Sequence, residues 1–176
     1  MKRYCLYLFI LIGISCSAEL KAQKNGTVYK GNDPAVRYTG RTLVSSDGSV
    51  AFDWAGTYLE TRFTGGKLSV KVSETGTSYY NVFVDGKLHK VVKVCGTDTL
   101  IHLVSGIDKR IHSLKIQKRS EGEFGKTTVH QFVLSGSGRL AEELAVRTRH
   151  IEFIGNSLTC GYGTDGKHRD EPFLVE

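Results

Sequence analysis

Between positions 33 and 134, apolar side chains recur at every second residue in short runs, and turn signals interrupt each run. Alternation with a period of two puts one set of side chains on a buried face and the other in water, which predicts strands over 50–54, 58–63, 67–73, 79–84, 88–94, 100–104, 111–118 and 128–134. Helical periodicity is nearly absent from this stretch. Asp85-Gly86 predicts a tight hairpin turn, because both central positions of such a turn need positive φ. Gly65-Gly66 and Ser46-Asp47-Gly48 mark further turns. Many short strands with no helix between them predict a mainly β fold, a jelly-roll-like antiparallel β-sandwich of two sheets.

Ser135-Gly136-Ser137-Gly138 ends this pattern with four small residues, and a short connector over 139–149 follows. From His150 to Gly163 the chain changes character. The run reads as a buried strand, a tight turn and a helix start, which is the opening of an α/β unit. Such a strand needs parallel neighbours and covering helices, and the residues up to Glu176 are too few to supply them. The expected organisation is an export signal at 1–22, a sandwich at 23–138, the connector, and an incomplete second domain at 150–176.

The N-terminus supports the first of these assignments. Lys2 and Arg3 precede an apolar stretch over 5–14 and then small residues, with cleavage expected after Ala22. The apolar stretch is shorter than the roughly 20 residues of a membrane span. Cys16 suggests lipidation less well, since Gly13 stands where such motifs carry an aliphatic residue. The chain is therefore expected to be secreted, periplasmic or held at the cell surface. Removing 1–22 lowers the formal charge from +6 to +4 and leaves only Cys95 and Cys160, which is neither a disulfide framework nor a zinc pattern. Two partly buried thiols are expected. With 40% hydrophobic and 24% charged residues, the composition excludes a disordered tail.

Candidate chemistry lies in Gly155-Asn156-Ser157-Leu158. A serine on the turn after a strand projects its hydroxyl from the sheet edge, where backbone N–H groups can stabilise an oxyanion. The alternative is an ordinary Asn or Ser helix cap. Thr159 stands where the Gly-x-Ser-x-Gly elbow has its second glycine, so that motif does not fit.

The tetrapeptide resembles the first motif block of SGNH (GDSL-type) hydrolases, and the run over 151–163 is similar to carbohydrate esterase family 2. Gly40-Arg41-Thr42, Val50-Ala51-Phe52-Asp53-Trp54, Arg62-Phe63-Thr64-Gly65 and Val84-Asp85-Gly86 resemble that family's N-terminal jelly-roll domain. The resemblance implies an exported esterase that removes acetyl groups from plant polysaccharides such as xylan or mannan, without metal or organic cofactor. It implies Ser157 as nucleophile and backbone oxyanion donor, with Gly155 and Asn156 supporting the turn. Asn156 replaces the commoner Asp and brings no charge. The remaining donors and a catalytic histidine belong to later blocks of that family, so this chain alone is expected to be inactive.

A serine nucleophile needs a base within hydrogen-bond reach. His89, His102, His112 and His130 fall in the predicted sandwich and read as solvent-facing or satisfied strand residues; His150 precedes the strand, and His168 does not match the family's catalytic block. The run from Gly161 to His168 nearly fits a phosphate-binding loop, but a His replaces the final hydroxyl and no strand leads into it. A charge of +4 and a basic stretch that alternates with Ile and Leu argue against nucleic-acid binding. Trp54, Tyr58, Tyr79 and Tyr80 are candidates for stacking on sugar rings, or else core residues. The rival to the esterase is a non-catalytic carbohydrate-binding or surface module.

Overall fold

The computed structural model describes residues 26–141, 148–149, 151–161, 163–164 and 166–168. The elements run in the order β1 (Thr27–Lys30), β2 (Val36–Thr39), β3 (Leu43–Val44), β4 (Val50–Phe52), β5 (Tyr58–Val84), β6 (Lys87–Lys118), a 3-10 turn (Gly122–Phe124), β7 (Thr127–Ser135), β8 (Arg139–Leu140) and α1 (Ser157–Cys160). All strand pairings are antiparallel. They join one eight-stranded sheet in the order β2-β5-β7-β4-β3, with β1 added to β7 and with β6 and β8 added to β5. The jelly-roll-like architecture is as the alternation predicts, but hydrogen bonding passes continuously from strand to strand, so a single curled sheet replaces two separate ones.

The curl has a local cause. A straight strand of 27 residues would reach about 90 Å, several times the roughly 13 Å radius of gyration expected for a domain of this size. β5 and β6 therefore bend while they stay paired, and the bends fall at shifts in their register. At the first, Gly65 and Gly66 take φ of 36° and 78°, a region closed to most side chains. The predicted strands over 58–63, 67–73 and 79–84 are stretches of one bent element, as are 88–94, 100–104 and 111–118. β1, β2, β3 and β8 were not expected: they have two to four residues each, too few to show a period.

Curling encloses one apolar core. Phe63, Leu68, Val82, Leu103, Phe132 and Leu134 are fully shielded from solvent, and Phe52 and Tyr80 meet edge to face at 6.3 Å between ring centres. Leu140, which the sequence places in the connector, is also buried, because β8 pairs with Phe63 and Thr64 of β5. Near the 3-10 turn the interior becomes polar. Glu74 accepts hydrogen bonds from Thr127 and from the Gly76 N–H, Thr127 and Tyr80 share another, and buried Lys118 donates to the carbonyl of Gly125 at 3.0 Å. Burial holds the Lys118 pKa below the usual lysine value, against the opposing pull of Glu74, Asp53 and Glu121.

The sequence expectation fails at 151–154. These residues form no strand and are open to solvent, with Ile151 81% and Ile154 91% exposed. A strand exists only through pairing, and among the described residues this segment has no partner strand. The export signal, His150 and most of the connector lie outside the described residues. Among the described residues no helix is long and apolar enough to cross a membrane.

Candidate active site

Gly155, Asn156 and Ser157 come together as one helix-initiating turn. Asn156 is extended, at φ −114° and ψ −164°, and its Oδ1 accepts a hydrogen bond from the Leu158 N–H at 3.1 Å. That is an N-cap, so the capping role offered for either residue falls to Asn156, and Ser157 occupies the first helical position on an exposed surface. The turn closes with the Thr159 N–H donating to the Asn156 carbonyl at 3.0 Å, and Gly161 ends the helix in the left-handed region. Gly155 is fixed by contact rather than by φ. A Cβ there would stand 2.1 Å from Thr159 Oγ1, so any side chain would force the turn open.

Three of the four sandwich histidines have side-chain partners within the sheet. His102 Nδ1 faces Ser69 Oγ at 3.5 Å, and His112 is held between Asp85 and Asp108. His89 is exposed on β6. The pair Ser73 and His130, 2.8 Å apart, is the nearest approach to a nucleophile and base. Its carboxylate is misplaced: Asp98 Oδ1 lies 4.0 Å from Nε2, the nitrogen that already faces the serine, whereas an orienting acid must hold the other ring nitrogen. Asp98 is drawn instead to Lys71 at 3.2 Å, and its N–H donates to Ser73 Oγ. His150 lies outside the described residues, and His168 is exposed.

The four candidate aromatic residues separate. Tyr80 is core, with burial driving its hydroxyl pKa up. Trp54 follows β4 and is 61% exposed, with the Arg41 guanidinium 5.9 Å from its ring centre. Tyr58 and Tyr79 are half-buried on the outer face of the sheet, where sequence reasoning missed their neighbour Phe83. Their common period-two phase from 79 to 83 was the available signal. Cys95 is unbridged and exposed, where a partly buried thiol was expected, because it lies in the outward phase of β6. Among the described residues no cluster of His, Cys, Asp and Glu could hold a metal ion.

Comparison with known proteins identifies the family of the sheet that precedes this turn. The family described as carbohydrate esterase 2 N-terminal matches residues 38–143. A cellulase/esterase, CelE, of Acetivibrio thermocellus is 32% identical over 142 residues, which is 81% of this chain and 17% of that protein. An acetylxylan esterase / glucomannan deacetylase of Cellvibrio japonicus is 29% identical over 135 residues, 76% of this chain and 37% of that protein. Among solved structures, a family two carbohydrate esterase from Clostridium thermocellum in complex with cellohexaose superposes with a TM-score of 0.73 at 32% identity, covering 80% of this chain and 43% of the other. One from Cellvibrio japonicus gives 0.71 at 25% identity, covering 85% and 44%. The chain spans less than half the length of each of these relatives.

Proposed function

The chain belongs to the carbohydrate esterase 2 N-terminal family, and from that premise we propose that the natural gene product is an exported polysaccharide acetyl esterase of the SGNH type, with Ser157 as its nucleophile. What carries this reading is the placement of Ser157. It stands exposed at the first helical position of a turn that Asn156 caps and Gly155 permits, in a chain whose curated relatives are esterases. Export is supported by the basic start at Lys2 and Arg3 and the apolar run behind it.

The chemistry is acyl transfer. Ser157 Oγ attacks the acetyl carbonyl carbon while its proton passes to a histidine base, and the carbonyl oxygen becomes an oxyanion that the Ser157 N–H helps to hold. Collapse of this intermediate breaks the ester bond, and the protonated histidine returns the proton to the departing sugar hydroxyl. Water then attacks the acetyl-serine by the same route and releases acetate. His89, His102, His112 and His130 belong to the sandwich and His168 does not match the family's catalytic block, so in this reading the base is a histidine of a later block of the natural gene product. On this reading the 176 residues by themselves are expected to release no acetate.

The test is acetate release from acetylated xylan and glucomannan by the natural gene product beside its Ser157→Ala variant. A loss of about a thousandfold or more with folding intact by circular dichroism is expected when the attacking hydroxyl is removed. Equal release by both proteins, or none by either, would favour a non-catalytic carbohydrate-binding module instead.

A further inference from the structure

Strand register brings a set of outward side chains into three rows that the catalytic reading does not use. Thr39, Tyr58, Gln117, Asn81 and Val91 form the central row, through the pairs Thr39 with Tyr58, Tyr58 with Gln117, Gln117 with Asn81 and Asn81 with Val91. On one side lie Arg37, Glu60, Lys115 and Phe83, each opposite the next. On the other lie Lys93 and Tyr79, with Arg119 tied to Tyr79 by its N–H donating to the Tyr79 carbonyl at 2.9 Å. The inward neighbours Leu59, Tyr80, Val82, Leu114 and Ile116 are all buried, which fixes the phase: the three rows face away from the core.

We propose that this outer face is a binding platform for polysaccharide chains that carry uronic-acid carboxylates, separate from the Ser157 turn. Three observations converge. Tyr58, Tyr79 and Phe83 put half-exposed rings on a face that also carries two amides, Asn81 and Gln117. Aromatic faces pack against the CH groups of pyranose rings, and amides both donate to and accept from sugar hydroxyls. Among the described residues of these three rows the charge is one-sided: Arg37, Lys93, Lys115 and Arg119 stand beside one carboxylate, Glu60, which Arg37 holds at 2.8 Å. Finally, Lys115 is positioned, with its ammonium 4.1 Å from the Tyr58 ring centre and 5.8 Å from that of Phe83. A cation stacked in this way loses little further freedom when it meets a carboxylate, and such pairs make the stronger class of hydrogen bond. Neighbouring strands lie about 4.8 Å apart, so the rows present a track long enough to meet successive sugar units.

The outer face is built without Ser157, so binding and catalysis fail separately. The test titrates this chain with xylan bearing glucuronic-acid branches, with the same xylan after chemical reduction of its carboxyl groups, and with single-stranded DNA, by isothermal calorimetry. Acidic xylan is expected to bind, carboxyl reduction to weaken binding severalfold, and Lys115→Gln and Tyr79→Ala each to weaken it about tenfold, one charged or stacking contact being worth that much. Lys109→Gln with Arg110→Gln, in the exposed stretch of β6 at 108–111, should leave it unchanged. Absence of binding, equal weakening by the Lys109 and Arg110 changes, or DNA binding as tight as that of acidic xylan would overturn the proposal. Circular dichroism checks each fold, and the two platform variants, one removing charge and one removing a ring, must agree.

Discussion

His112 is only 4% exposed, yet both of its ring nitrogens meet carboxylates: Nδ1 faces Asp85 Oδ2 at 2.6 Å and Nε2 faces Asp108 Oδ1 at 3.0 Å. Carboxylates only accept, so both contacts are made fully by the doubly protonated ring. The hydrogen bond to Asp85 holds the His112 pKa above the ordinary 6.5, with burial opposing it and Asp108 adding to it. The partners move the other way. Asp85 is lowered first by His112 and then by the Ser113 N–H, while Asp108 is lowered to about 2, mainly by the Arg110 N–H and guanidinium. A raised histidine stabilises fully below its unfolded pKa and loses that contribution as pH rises through the folded value. The depressed carboxylates lose theirs only as pH falls through their own folded values. The contact therefore stabilises most between the ordinary carboxylate and histidine values. The melting temperature is expected to fall as pH rises from about 6 to 9, with His112→Gln showing a flatter profile. Parallel profiles in the two proteins would exclude this assignment. The histidine's burial was not legible in the sequence, since its partners come from a turn 27 residues away and from the preceding bend of β6.

At the scale of elements, glycines decide where the long strands bend. Gly66 sits at φ 78°, and a Cβ there would stand 2.3 Å from the Ser135 carbonyl oxygen of the paired strand β7. Gly86, in the Asp85-Gly86 turn, has a similar φ of 76° but nothing within 4 Å of such a Cβ. Gly86→Ala should therefore cost about 1–2 kcal/mol, the left-handed penalty alone, while Gly66→Ala adds an overlap with backbone and should cost about 2–5 kcal/mol. Urea unfolding of the two variants measures the difference, and equal midpoints would show that β7 gives way freely. The hairpin turn at 85–86 was readable from two residues because φ preference is local. The bends at 65–66, 96 and 106 look the same in sequence but interrupt nothing, because pairing with the neighbouring strand resumes beyond each of them. The segment at 151–154 is the converse case, an apolar run with strand-like composition that pairs with nothing among the described residues.

Across the sheet as a whole, the described residues share one core, so a single large deletion inside it should be felt throughout the sheet. Phe132 lies wholly within that core, and Phe132→Ala should cost about 3–5 kcal/mol, a large part of the roughly 5–15 kcal/mol that holds an ordinary domain together. Chemical denaturation followed by fluorescence and circular dichroism checks it: the two signals should shift together, and separate transitions would mean that parts of the sheet fold independently. The sequence by itself determined the mainly β class, the inward and outward phase of most strand residues, the hairpin at 85–86 and the helix-initiating turn at Asn156 and Ser157. All of these depend on side-chain period or on the φ preference and capping chemistry of neighbouring residues. Only the tertiary structure decided that six predicted strands are two long bent ones, that four short strands complete the sheet, and that Tyr80 turns inward while Tyr58, Tyr79 and Phe83 share the outer face. It also decided that His112 is clasped by Asp85 and Asp108. These features depend on which strand lies opposite which, and register between distant segments is set by the curl of the whole sheet around its core rather than by any run of residues along the chain.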